Sequence, residues 1–289
     1  MFGKGQVPLP SEFSPRVGSC DRPYVSHADC LPTALGTSQG SIEISRYAPE
    51  PARGSALVDR DAWDREVADL VLRALPPAPA RVLEVGCGEG RLARSMSATG
   101  HRVVAIDPDA PEGSLFRRVR IEEFVASEPF DAAVATLSLH HIADLDAAVA
   151  KIAGLVVPGG TFVVVEFASD RLDEATAAWA LKHLAPGTED GWLARRRNEW
   201  NAQDSGDDGS GFADYLRKWA TSQKFHTASA MVEACRSHFD EMRFQASPYL
   251  YPELEGVTRE QEIAEIEAGR IQATGFSFVG SARSAMEGG

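Results

Sequence analysis

The feature that most constrains this chain is a change of pattern at residues 81–91. The apolar, β-rich run Arg81-Val82-Leu83-Glu84-Val85 leads directly into Gly86-Cys87-Gly88-Glu89-Gly90, and a helical pattern starts at Arg91. Glycines at a strand-to-helix junction let the backbone turn tightly and approach a ligand that a Cβ would hold away. The helix start adds free N–H groups suited to a carboxylate or phosphate. Asp107 closes the next apolar run, 21 residues beyond Gly86. An acid there can accept hydrogen bonds from both hydroxyls of a ribose. The pair of features points to a ligand that contains a nucleoside.

The surrounding chain alternates strand and helix. A helix over Asp61 to Leu75 carries Val67, Leu70, Val71 and Leu75 at helical spacing and stops at Pro76-Pro77. Strands are expected at 81–85, 102–107, 130–135 and 161–166, with helices at 91–99 and 144–156 and a Pro158-Gly159-Gly160 turn. Strands this apolar, separated by helices, predict a parallel sheet covered on both faces. Residues 171–224 read as helices broken by an acidic, glycine-rich loop at 204–209, and they hold Trp179, Trp192, Trp200 and Trp219, four of the five tryptophans. Thr227 is expected to cap a helix running to about Phe239. Two late strands, near 242–247 and 271–280, flank a helix at 258–269. Residues 1–50, rich in Pro, Gly and Ser, read as a loosely ordered extension. Residues 51–289 read as one domain, with 171–224 as a helical lid inserted after the strand at 161–166.

Composition narrows the partners. The net charge of −13 over 289 residues argues against nucleic acid and against an anionic membrane surface. No apolar run is long enough for a membrane span, and Met1–Gln6 lacks the apolar core of a signal peptide. Cys20, Cys30, Cys87 and Cys235 form no C-x-x-C pair, so no zinc or other metal site is expected. Four reduced thiols in a cytoplasmic protein are the expectation. Oligomeric state leaves no mark on the sequence.

A dinucleotide fingerprint would need its third glycine at position 91, where the chain has Arg91. The pattern here is E-x-G-x-G-x-G, which resembles motif I of the class I S-adenosylmethionine (SAM)-dependent methyltransferases. Gly100–Asp107 looks like that family's second strand with its ribose-binding acid. Phe130-Asp131 followed by Leu139-His140-His141-Ile142 looks like its fourth strand and the loop after it. Leu155–Phe162, with Pro158-Gly159-Gly160, looks like its turn into strand five. The resemblance implies a Rossmann-like, doubly wound α/β fold. Its seven-stranded sheet would be mostly parallel, with an antiparallel last strand. It implies SAM as cofactor and a small-molecule methyl acceptor. An NAD(P)-dependent oxidoreductase and a non-catalytic SAM-binding module are the alternatives.

Carried onto matching positions, the resemblance places Glu84, Gly86, Cys87, Gly88 and Gly90 along the methionine part of SAM and Asp107 at its ribose. Cys87 is expected to be a small side chain in a crowded loop rather than a nucleophile. Pro108 and Asp109, which follow Asp107, would touch the adenine edge. Glu122 would accept the adenine amino group with Ile121 packed on the ring, or else mark a solvated acidic helix start. Leu137 would meet SAM through its backbone. Tyr47 would close over the SAM carboxylate, or anchor the extension. His141 is the candidate general base for an acceptor hydroxyl, or a packed loop residue; oxygen is favoured over nitrogen or carbon as acceptor on that ground alone. Trp179, Trp192, Trp200, Tyr215 and Trp219 would roof an apolar acceptor, or pack the insertion onto the core. The basic run Arg195-Arg196-Arg197 reads as a solvated helix face.

Overall fold

The computed structural model describes residues 60–185, 191–203 and 211–283. The extension at 1–50, Tyr47 within it, and the acidic loop at 204–209 lie outside these. In chain order the elements are α1 (Arg60–Ala74), β1 (Arg81–Val85), α2 (Arg91–Ala98), β2 (Arg102–Asp107), β3 (Phe116–Arg118), β4 (Phe130–Thr136), α3 (Leu145–Leu155), β5 (Val156–Phe167), α4 (Glu174–His183), α5 (Trp192–Asn201), α6 (Phe212–Ser222), α7 (Ala228–His238), β6 (Phe239–Ser247), α8 (Arg259–Glu267) and β7 (Gly275–Ala282). The strands form one seven-stranded sheet in the order β3-β2-β1-β4-β5-β7-β6. β7 alone runs against the rest, antiparallel to both β5 and β6.

Strand period decides which helices cover which face. Leu83 and Val85 point into a core shared with α3 and α7. Val82, one residue out of phase, joins the opposite core with Val67 and Val71 of α1 and Ala93 and Met96 of α2. The two layers explain why the central strands carry almost no polar side chains. Asp144 caps α3 by accepting the Ala147 N–H, and Thr227 caps α7 through the Ala230 N–H.

Register brings the loops together. Val85 sits beside Ile106 on one side and Ala135 on the other, and Ala135 beside Val164. The carboxyl ends of β1, β2, β4 and β5 therefore open at one edge, and the strand order reverses direction between β1 and β4. Open α/β sheets bind ligands at such a point. Over this edge stands a third apolar cluster, built from α4, α5, α6 and residues 249–254 around Phe167.

Several boundaries differ from the sequence expectation. β5 begins at Val156, because Val156 already pairs with Phe130 before a bulge that carries Pro158-Gly159-Gly160. β6 starts at Phe239 rather than 242; as an edge strand it leaves most side chains in solvent and shows no apolar alternation. β7 starts at Gly275 rather than 271. β3 has three residues, of which only Phe116 is buried, too little to show a period. Among the described residues no helix is long and apolar enough to cross a membrane.

Candidate active site

The glycine loop is held open by its own backbone. Gly86, Gly88 and Gly90 all adopt left-handed φ values, 76°, 48° and 77°. The Gly86 and Cys87 N–H groups donate to the Ile106 carbonyl at 2.8 and 3.1 Å, which ties the loop to β2. Asp107 completes the tie. One of its carboxylate oxygens accepts the Gly88 N–H at 3.0 Å, and the other accepts the Asp109 N–H at 2.8 Å. Its carboxylate is thus fixed in orientation while lone pairs remain for further donors.

Glu84 projects from β1 toward the first turn of α2 and is 1% exposed. Burial and the neighbouring Asp107 charge push its carboxyl up to about 8, against a partial correction from the Ala93 N–H. Its Oε2 is buried without a hydrogen-bond partner. Cys87 is buried, and burial with the Glu84 and Asp107 charges raises its thiol pKa strongly. Burial and the two neighbouring carboxylates thus disfavour its thiolate.

A cleft of about 740 Å³ runs along this edge. Glu84, Gly86, Cys87, Gly88, Gly90, Asp107, Leu137, His141 and Trp192 all lie on its wall. Pro108, Ile121 and Glu122 do not. Ile121 is sealed in the α3-side core, and Glu122 is exposed with its carbonyl held by Lys151 Nζ at 2.5 Å. Of the two alternatives for Glu122, the solvated acid agrees with this placement.

The aromatic set divides in the same way. Only Trp192 reaches the cleft. Trp219 stacks behind it at 5.8 Å between centroids, Trp200 packs on Phe212, Trp179 packs on His183, and Tyr215 donates to Glu199 Oε2 at 2.6 Å. The arginine triplet is not a solvated face. Arg196 is 7% exposed and lies over the Trp219 ring, Arg197 donates to the Ala185 carbonyl at 2.8 Å, and Arg195 stands on the cleft wall.

Other cleft residues escaped the sequence. Asp61, Trp63 and Asp64, in the first turns of α1, overhang the glycine loop, and Arg91 reaches Asp61 at 3.1 Å and Asp64 at 3.0 Å. Helical period marks the buried face of α1 but not what its first turn covers. Glu166 was also missed as an organiser. Its carboxyl accepts the N–H groups of Ser138 (2.7 Å), Leu139 (2.6 Å) and Phe167 (3.0 Å) and meets His140 Nδ1 at 2.7 Å. The signal was present: an acid at the end of an otherwise apolar strand must have partners waiting. The loop it ties carries Leu137, a non-glycine residue at φ 48°.

Residues 59–202 match a family described as a methyltransferase domain. An uncharacterized methyltransferase of Mycobacterium tuberculosis is 34% identical over 145 residues, covering 46% of this chain and 71% of that protein. A ubiquinone biosynthesis O-methyltransferase of a Bradyrhizobium species is 29% identical over 134 residues, 42% of this chain and about half (51%) of that enzyme. Among solved structures, the N-methyltransferase NodS of Bradyrhizobium japonicum in complex with S-adenosyl-L-homocysteine superposes with a TM-score of 0.45 at 14% identity, over 78% of this chain and 91% of that one. The matched family region includes the glycine loop at residues 84–90, and the mycobacterial relative is 34% identical with 71% of its length covered; the chain belongs to the class I SAM-dependent methyltransferases.

Proposed function

We propose that the enzyme methylates a small, partly apolar organic molecule, with oxygen as the favoured acceptor atom, and that the cleft is where it does so. Glu84 carries the assignment of the cleft to the cofactor. A buried carboxyl with an oxygen left unpartnered on a cleft wall is costly unless a ligand completes it.

The residues present fit SAM. Glu84 would receive the ammonium group of its methionine part and Asp107 the ribose hydroxyls. Gly88 would lie against the methionine chain: a Cβ built there meets nothing within 4 Å and would project into open space. SAM, when bound there, would supply a methyl group carried on a positively charged sulfur. The chain supplies alignment and exclusion of water. Trp63 and Trp192 wall the acceptor side, and α4–α6 act as the lid, with Trp179, Trp200, Tyr215 and Trp219 bracing it from behind. His141, on the same wall, would take the proton from an acceptor hydroxyl at its oxygen.

Binding and turnover test this directly. SAM and its demethylated product S-adenosylhomocysteine (SAH) should raise the melting temperature, and NAD should not. Labelled methyl should pass from SAM to members of a small-acceptor panel, and Asp107→Ala should abolish it. Stabilisation by NAD with none by SAH would reject the assignment.

A further inference from the structure

We propose that the acceptor is an aromatic acid whose carboxylate is held by Arg195; this rests on the methyl-transfer function above. The arginine triplet on α5 sends its three side chains to three different fates. Arg196 pairs with Glu199 and covers Trp219, and Arg197 is spent on the Ala185 carbonyl and Asn198. Arg195 is half-buried on the cleft wall, and among the described residues its guanidinium has no hydrogen bond or ion pair. The wall's Arg91, by contrast, is neutralised by Asp61 and Asp64. A partly desolvated guanidinium facing a cavity without a counter-charge is a site for an anion, and its planar fork matches a carboxylate.

A second donor lies beside it. Trp192, one turn earlier on the same face of α5, is 4% exposed, and its indole Nε1 is buried without a hydrogen-bond partner. An acceptor with anionic oxygens would satisfy both. Next to these donors the cleft of about 740 Å³ is walled by Trp63, Leu137 and Trp192, which leaves room for a ring. The same three side chains, with Tyr249, Pro252 and Glu253, also line a small recess of about 20 Å³. Tyr249 is backed by Phe167, stacked at 4.6 Å, so that wall is rigid. Flat aromatic walls select flat aromatic guests. Of the acids on the cleft wall, Glu84, Glu89 and Asp107 sit at the glycine loop, where a cationic cofactor suits them, and Asp61 and Asp64 pair with Arg91. The unpaired arginine comes from the helical layer instead.

The test uses the full chain saturated with SAH. Hydroxybenzoates, aminobenzoates and hydroxynaphthoates are titrated, each against its own primary amide, by tryptophan fluorescence. At least one acid should bind tenfold or more tightly than its amide. Arg195→Gln should lower that acid's affinity at least tenfold, leave the amide and SAH within twofold of wild type, and melt at the wild-type temperature. Arg195→Lys should recover part of the loss. The proposal falls if no acid outbinds its amide. It also falls if Arg195→Gln weakens SAH as much as the acids, which would put the arginine on the cofactor's own carboxylate. Failure of the wild type to bind SAH would instead remove the methyl-transfer function on which the proposal rests.

Discussion

Glu166 Oε2 lies 2.7 Å from His140 Nδ1, with both side chains out of solvent. The same carboxyl also accepts the Ser138 and Leu139 N–H groups, so the end of β5 holds the loop after β4 at three points, and the Phe167 N–H within β5 gives a fourth bond. That loop includes Leu137, whose left-handed backbone costs on the order of 1 kcal/mol. Glu166 supplies the bonds that keep Leu137 and His141 on the cleft wall. Glu166→Ala would leave buried donors unsatisfied and should lower unfolding free energy by about 3–5 kcal/mol in urea titrations. Glu166→Gln, which keeps the volume, should cost less. A loss under about 0.5 kcal/mol in the alanine variant would show that the tether is not needed.

Gly88 and Gly90 share a left-handed backbone but differ in what surrounds them. A Cβ at Gly90 would overlap the Phe116 ring, whereas one at Gly88 meets only open cleft. Gly90→Ala should therefore unfold at a clearly lower temperature. Gly88→Ala should lose only about 1 kcal/mol of stability from backbone strain, yet bind SAH at least tenfold more weakly. Calorimetric titration alongside thermal melting separates the two, and equal effects in both variants would contradict this division of roles.

These two glycines also show how much of the site the sequence disclosed. Motif spacing placed the glycine loop, Asp107 and Leu137 on one cleft, because tight turns and strand ends are set by local residues. Ile121 and Glu122 went astray because β3 has only three residues and fixes no phase for the segment after it. Trp192 could not be told from Trp200 by pattern: both are buried on α5, and only tertiary packing turns one to the cleft and the other onto Phe212. Arg195 was hidden in a charge run whose members look alike until α5 is set down among α4, α6 and residues 249–254. Helix period reports which face is apolar; it does not report what the helix overhangs.

Cys87 and Cys235 test burial independently of catalysis. Desolvation pushes Cys235 up to about 12, and desolvation with the Glu84 and Asp107 charges raises Cys87 further. Burial therefore disfavours the thiolate at both cysteines in the folded chain. Mass spectrometry after iodoacetamide treatment should find both at least about 100-fold slower to react in buffer than in urea. Rapid alkylation of Cys87 in the native protein would mean that the glycine loop is open.

Glu84 gives the enzyme a pH signature. Its carboxyl is raised from 4.5 to about 8. Between those values the folded chain holds a proton that the unfolded chain has lost. This group's contribution to stability is therefore complete below pH 4.5 and declines as pH rises through 8. Ligand binding has the opposite slope. An ammonium group placed against Glu84 favours the carboxylate, so binding expels the proton. SAH affinity should rise between pH 6 and 8, by at most about tenfold per unit. Titrations in two buffers of different ionisation enthalpy should register proton release near pH 7. Glu84→Gln should flatten the profile and abolish the release. An affinity that is level from pH 6 to 8 in the wild type would show that Glu84 does not meet the cofactor's ammonium group.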